Sequence, residues 1–166
     1  LTFLDPNLNL QRNLLFQHTP INFYEKLDTF YLTTVGKNVF PSDMRDGALQ
    51  KITESKENKD QMIATPVLSH LQRPVSMAYG DLNNDGREDI VACEYGDLTG
   101  KLVWFENQGD NKYMEKVLNN KPGAITAIIV DYNQDGQNDI FVLMAQGDEG
   151  VFYYENQGGG KYKKKR

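Results

Sequence analysis

A single cysteine, Cys93, leaves the chain unable to form an internal disulfide. Long apolar runs are missing too. The longest, residues 124–130, is interrupted by Thr126 and falls far short of the roughly 20 residues a helix needs to cross a bilayer, so no membrane span is expected. Leu1 does not open a charged segment followed by an apolar one, and a leader is expected either to have been removed or never to have existed. Histidine is limited to His18 and His70, placed near turns with no cysteine or acidic partner at local spacing, which makes both ordinary surface residues. Amphipathic helical periodicity is also lacking. The one charged stretch that invites a helix, 54–60, reads from its place in the repeat described below as a solvated hairpin turn.

What remains is a chain of 166 residues, 39% hydrophobic and 25% charged, enough to bury a core of ordinary domain size. The formal net charge is −5, yet six of the acids (Asp81, Asp85, Asp89, Asp131, Asp135, Asp139) sit in two short segments. Without these six negative charges the chain would stand at +1. The acidity is therefore local, which points to cation sites and away from a nucleic-acid binder, whose Lys and Arg cluster along one face. The one basic run, 161–166, falls in a repeat where it reads as a charged outer strand protecting a sheet edge.

The two segments are copies. Asp81-Leu-Asn-Asn-Asp-Gly-Arg-Glu-Asp-Ile90 returns 50 residues later as Asp131-Tyr-Asn-Gln-Asp-Gly-Gln-Asn-Asp-Ile140, and the match runs on into Glu106-Asn-Gln-Gly109 and Glu155-Asn-Gln-Gly158 with one residue lost. Upstream, 29–36 and 47–55 align with the same unit but lack the acidic spelling. Each unit holds four short stretches rich in β-branched and aromatic residues, in the second unit about 75–81, 89–94, 101–106 and 112–118. Four strands per 40–50 residues is the pattern of a β-propeller blade, whose small twisted sheet stacks radially on its neighbours. The expected fold is all-β: a propeller fragment of about three four-stranded blades, cut inside blades at both ends. Residues 1–16 end a preceding blade, 17–72 form a degenerate blade without the motif, and 73–122 and 123–166 form two motif-bearing blades, the last truncated.

Oxygen donors at positions 1, 3 and 5 converge only if the backbone curls tightly, and Gly86 or Gly136 at position 6 permits that curl. Such a set suits a hard divalent cation better than zinc, and calcium better than magnesium, which tolerates loose cages of many oxygens poorly. The candidate ligands are Asp81, Asn83, Asp85 and Asp89 with the Arg87 carbonyl, and Asp131, Asn133, Asp135 and Asp139 with the Gln137 carbonyl. An EF-hand is excluded because position 12 is Ala92 in one loop and Val142 in the other. The alternative is a bare hairpin turn with solvated carboxylates.

The spelling Asp-x-Asn-x-Asp-Gly-x-x-Asp-Ile between two strands resembles the FG-GAP/VCBS repeat family, whose blades also occur in integrin α-subunit propellers. The resemblance covers 73–166, and Glu-Asn-Gln-Gly is similar to bacterial proteins of this class. It implies calcium at each inter-strand loop, hence two ions here, and an exported protein, extracellular, periplasmic or on the cell surface. It does not imply one function. The expected role is a non-catalytic, calcium-stabilised interaction or scaffold module with a protein or glycan partner and further blades of the same propeller. The alternatives are part of a propeller enzyme, such as a polysaccharide lyase or cofactor-dependent dehydrogenase, with its catalytic groups elsewhere, or a structural subunit of an envelope assembly. Cys93 reads as an inert buried thiol, and Trp104, Phe105, Tyr153 and Tyr154 as packing between blades. The partner surface is placed at the end of the blades away from the acidic loops, on Phe40, Met44 and Tyr95.

Overall fold

The computed structural model describes residues 18–26, 29–37, 43–58 and 61–166 with side chains, and 2–4 and 10–13 as backbone. Strands β1 (Thr2–Leu4) and β2 (Leu10–Asn13) form an antiparallel pair. Three four-stranded antiparallel sheets follow, each ordered as the chain runs. The first contains β3 (Pro20–Lys26), β4 (Thr29–Thr34), β5 (Gly47–Glu54) and β6 (Met62–Leu71). In the second are β7 (Pro74–Gly80), β8 (Asp89–Glu94), β9 (Lys101–Gly109) and β10 (Lys112–Asn119). The third is built from β11 (Ala124–Val130), β12 (Asp139–Met144), β13 (Gly150–Asn156) and β14 (Tyr162–Lys165). The all-β, blade-like architecture read from the repeat is what the chain forms. No helix among the described residues is long and apolar enough to cross a membrane, which says nothing of strands.

The registers explain the repeat. Ile90 faces Phe105 across β8 and β9, and Ile140 faces Tyr154 across β12 and β13. The residue lost between the units therefore lies in the turn between the second and third strands, since Glu94 pairs with Lys101 but Met144 with Gly150. The 55–61 segment makes a turn, with the Ser55 N–H donating to the Gln61 carbonyl at 2.8 Å. His70 does not sit in a turn: it lies inside β6 at φ +59°, where the β5–β6 register slips.

The second sheet is covered on both faces. Ile90, Ala92, Val103 and Phe105 meet Leu49, Leu68 and Leu71 of the first sheet, while Val91, Cys93, Leu102 and Trp104 meet Ala127, Ile140, Val142, Phe152 and Tyr154 of the third. Every residue of β8 is consequently buried, and its sequence Ile-Val-Ala-Cys is continuously apolar rather than alternating. In the third sheet Val142 is buried while Leu143 is 39% exposed, because only one face has a neighbour. Trp104, Phe105 and Tyr154 pack between sheets as expected. Tyr153 does not: it lies on the outer face, stacked on Phe141 at 4.8 Å between ring centroids.

Candidate functional site

Gly80 ends β7 and Asp89 begins β8, so residues 81–88 must reverse the chain. Asp81 organises the turn from its head, its Oδ1 accepting the N–H groups of Asn83 and Asp85 at 3.3 and 3.2 Å and its Oδ2 that of Gly86 at 2.8 Å. Asn83 Oδ1 accepts the Asp85 N–H at 3.2 Å, and Asp85 Oδ1 accepts the Arg87 N–H at 2.8 Å. Gly86 holds φ +82° with open space where a Cβ would stand, so glycine is required there by conformation and not by room. Asp89 turns inward, Oδ2 accepting from the Leu82 N–H at 3.0 Å and Oδ1 from the Asn107 N–H at 2.8 Å.

Residues 131–139 reproduce this. Asp131 accepts from the N–H groups of Asp135 and Gly136 at 3.1 and 2.9 Å, Asn133 Oδ1 from that of Asp135 at 3.1 Å, and Asp135 from that of Gln137 at 2.9 Å. Gly136 holds φ +83°. Asp139 accepts from the Tyr132 and Asn156 N–H groups at 3.3 and 2.8 Å.

Asn107 and Asn156, read from sequence only as part of a family spelling, anchor the loops. Asn107 donates Nδ2 to the Glu88 carbonyl at 3.0 Å, and Asn156 donates Nδ2 to the carbonyls of Asn138 and Leu82 at 3.0 and 2.9 Å. The last bond crosses from the third sheet to the loop of the second. Asn138 Nδ2 to the Asp81 carbonyl (2.7 Å) and Asn84 Nδ2 to the Gly136 carbonyl (3.0 Å) cross the same boundary. Glu106 joins the first loop by accepting from Asn83 Nδ2 at 2.9 Å, and Lys116 sits 3.0 Å from it. The signal was the recurrence of Glu-Asn-Gln-Gly at nearly the offset of the acidic motif.

Among the described residues no three Asp, Glu, His or Cys side chains are drawn together at a spacing that would hold a metal. The carboxylates lie against their own backbone N–H groups instead. The donor chemistry still fits an oxygen-seeking cation, because Asp81 Oδ2, Asp85 Oδ1, Asp131 Oδ1 and Oδ2, and Asp135 Oδ1 each accept a single hydrogen bond and keep a further lone pair. Asp89 and Asp139 are 0% exposed, and neither has a Lys, Arg or His within ion-pair distance among the described residues. A buried carboxylate without counter-charge is costly. Burial pushes the Asp89 carboxyl above its ordinary range, against the Asn107 and Leu82 N–H groups that favour the anion. At Asp85, burial is outweighed by the Arg87 N–H, the Asn83 amide and the Arg87 guanidinium, which hold the carboxyl below its ordinary range. Arg87, a candidate for its carbonyl, thus also sets a cation on Asp85, and its Nε donates to the Asn107 carbonyl at 2.8 Å. Gln137 brings no charge to the other loop.

At the opposite end of the sheets, Asp43 Oδ1 accepts from the N–H groups of Leu98 and Thr99 at 3.0 and 3.1 Å, joining the 43–46 segment to the β8–β9 turn. Met44 is 47% exposed and Leu98 77%. Tyr95 is half-buried beneath the Arg73 guanidinium, 5.4 Å from the ring centroid. Phe40 lies outside the described residues.

Meandering four-stranded sheets stacked face to face, two of them opening with an Asp-rich turn, define a propeller-like repeat module. Residues 81–142 match the model of the FG-GAP-like repeat family. No curated protein matches the chain.

Proposed function

We propose that the chain is a non-catalytic, calcium-stabilised scaffold and interaction module of a protein that works outside the cytoplasm, in the periplasm, at the cell surface or beyond. The observation that carries this reading is the matching geometry of the two loops, each with a buried carboxylate that has no counter-charge among the described residues. Calcium supplies that charge; Asp81, Asn83, Asp85 and Asp89 would hold one ion, and Asp131, Asn133, Asp135 and Asp139 the other, with the Arg87 and Gln137 carbonyls. The residues' own work is structural: they close the turns that join first to second strands. Modules in calcium-rich surroundings function with millimolar-range affinity, which suits small exposed loops and an exported location. At the other end, Met44, Leu98 and Tyr95 amid polar loops offer the surface for a protein or glycan partner.

Calorimetric titration of chelator-stripped protein with calcium tests this. Two sites are expected, with one lost in Asp85→Ala and the other in Asp135→Ala. Heats no larger than dilution, with identical melting in calcium and chelator, would refute the cation reading and leave the loops as bare turns.

A further inference from the structure

His18 and His70, far apart in the sequence, line one pocket of about 320 Å3 on the first sheet. That volume stands at the lower end of the range for small-molecule sites, enough for one ligand of amino-acid size. Local geometry brings the two histidines together. The Thr19 N–H donates to the Gly36 carbonyl at 2.9 Å, which sets His18 beside the turn that follows β4. Asp46 Oδ2 accepts the Lys37 N–H of the same turn at 3.0 Å and so draws the start of β5 alongside. Across β5 and β6, Gly47 pairs with Leu71 and Leu49 with Leu68, leaving two residues, Ser69 and His70, opposite Ala48 alone. The extra residue makes a β-bulge, and His70 carries it at φ +59°. Bulges re-aim side chains, and positive φ outside glycine gathers at functional sites.

The lining combines donors with acceptors. Arg45 brings a guanidinium that forms no ion pair among the described residues and can take a carboxylate as a fork. The imidazoles of His18 and His70 add N–H donors. Gln50 contributes an acceptor, since its side-chain oxygen is buried without a hydrogen-bond partner. Asp46 adds negative charge, with one carboxylate oxygen on the Lys37 N–H and the other accepting nothing among the described residues. Ala48 and Pro66 supply apolar wall. Metal binding does not account for the set, because no three Asp, Glu, His or Cys side chains among the described residues gather at metal-holding spacing. We infer that the pocket binds a free α-amino acid with an apolar side chain. Its carboxylate meets Arg45 and the histidines, its ammonium meets the Gln50 oxygen and Asp46, and its side chain lies against Ala48 and Pro66. A ligand with one charge alone leaves half of the set unused. The inference does not rest on the scaffold reading, because neither the acidic loops nor Met44, Leu98 and Tyr95 line this pocket.

Titration with leucine, followed by two-dimensional NMR, tests the assignment. Resonances of residues 45–50 and 66–70 are expected to shift with a dissociation constant of about a millimolar. Isocaproate, which lacks the ammonium, and isoamylamine, which lacks the carboxylate, should each bind about tenfold more weakly. Arg45→Gln should weaken leucine about tenfold and leave isoamylamine unchanged, whereas Gln50→Leu should weaken leucine and leave isocaproate unchanged. His70→Gly removes the imidazole while glycine keeps the positive φ, so weaker leucine binding on an intact fold is expected. Pocket resonances that stay fixed at leucine concentrations well above a millimolar would overturn the proposal. So would isocaproate binding as tightly as leucine, which makes the pocket a plain carboxylate site. Arg45→Gln and Gln50→Leu variants that keep native spectra and titrate like the original chain would overturn it as well.

Discussion

Loops 81–89 and 131–139 share backbone, hydrogen bonds and a glycine at the same φ, yet they stand in different surroundings. The first is gripped from outside: Asn138 and Asn156 of the next sheet hold its carbonyls, and Arg87 sets a guanidinium on Asp85. Among the described residues the second receives only Asn84 from its neighbour, and it has neutral Gln137 where Arg87 stands. Its Asp139 instead accepts from the Tyr153 hydroxyl at 2.8 Å on the uncovered face, and burial together with that bond raises the phenol above its ordinary range. One sequence motif thus yields one loop built into an interface and one at its margin. Fold stability should depend mainly on the first, and cation affinity should be greater in the second.

The largest separation is expected between two residues of one register. Trp104→Ala empties a space between two sheets and should cost about 3–5 kcal/mol, whereas Tyr153→Ala on the open face should cost about 1 kcal/mol. Chemical denaturation of both variants measures this, and equal losses would mean that the third sheet's outer face is covered. Next is Asn156→Ala, which removes the amide donor shared by the Leu82 and Asn138 carbonyls of the two loops and should cost about 2 kcal/mol. Asn107→Ala serves the first loop alone and should cost less, so the ordering of the two melting temperatures checks the cross-sheet bond to Leu82. Smaller again is Arg87→Gln, which removes the competing cation from an exposed position. Calcium should bind the first loop more tightly by about a few-fold, with the second loop unmoved. Cys93 gives the smallest and sharpest contrast. Burial pushes its thiol up to about 12, so a thiol reagent at pH 8 should modify it only after unfolding, and rapid labelling of native protein would show that the interface between the second and third sheets opens.

Much of the fold was readable because the repeat encodes it. A 50-residue offset shared by turn glycines, acidic motif and β-branched runs leaves one architecture that satisfies all of them. Which face of a strand meets a neighbour was not readable, because Ile90-Val91-Ala92-Cys93 and Ile140-Phe141-Val142-Leu143 are equally apolar and only the number of flanking sheets distinguishes them. Tyr153 was misplaced for that reason. The acidic loops were legible as loops, while Asn107 and Asn156 were read only as part of the recurring Glu-Asn-Gln-Gly, since the recurrence marks the amides without saying which carbonyls, Glu88 for one and Asn138 and Leu82 for the other, they reach. His70 was read as a turn residue although a β-bulge accommodates its positive φ within β6.

The most direct test of the central claim is a calcium titration of chelator-stripped protein followed by calorimetry, carried out on the original chain and on Asp85→Ala and Asp135→Ala. Two unequal sites are expected, with the tighter surviving in Asp85→Ala and the weaker in Asp135→Ala. A chain that takes up no calcium and melts identically with calcium and with chelator would contradict the account.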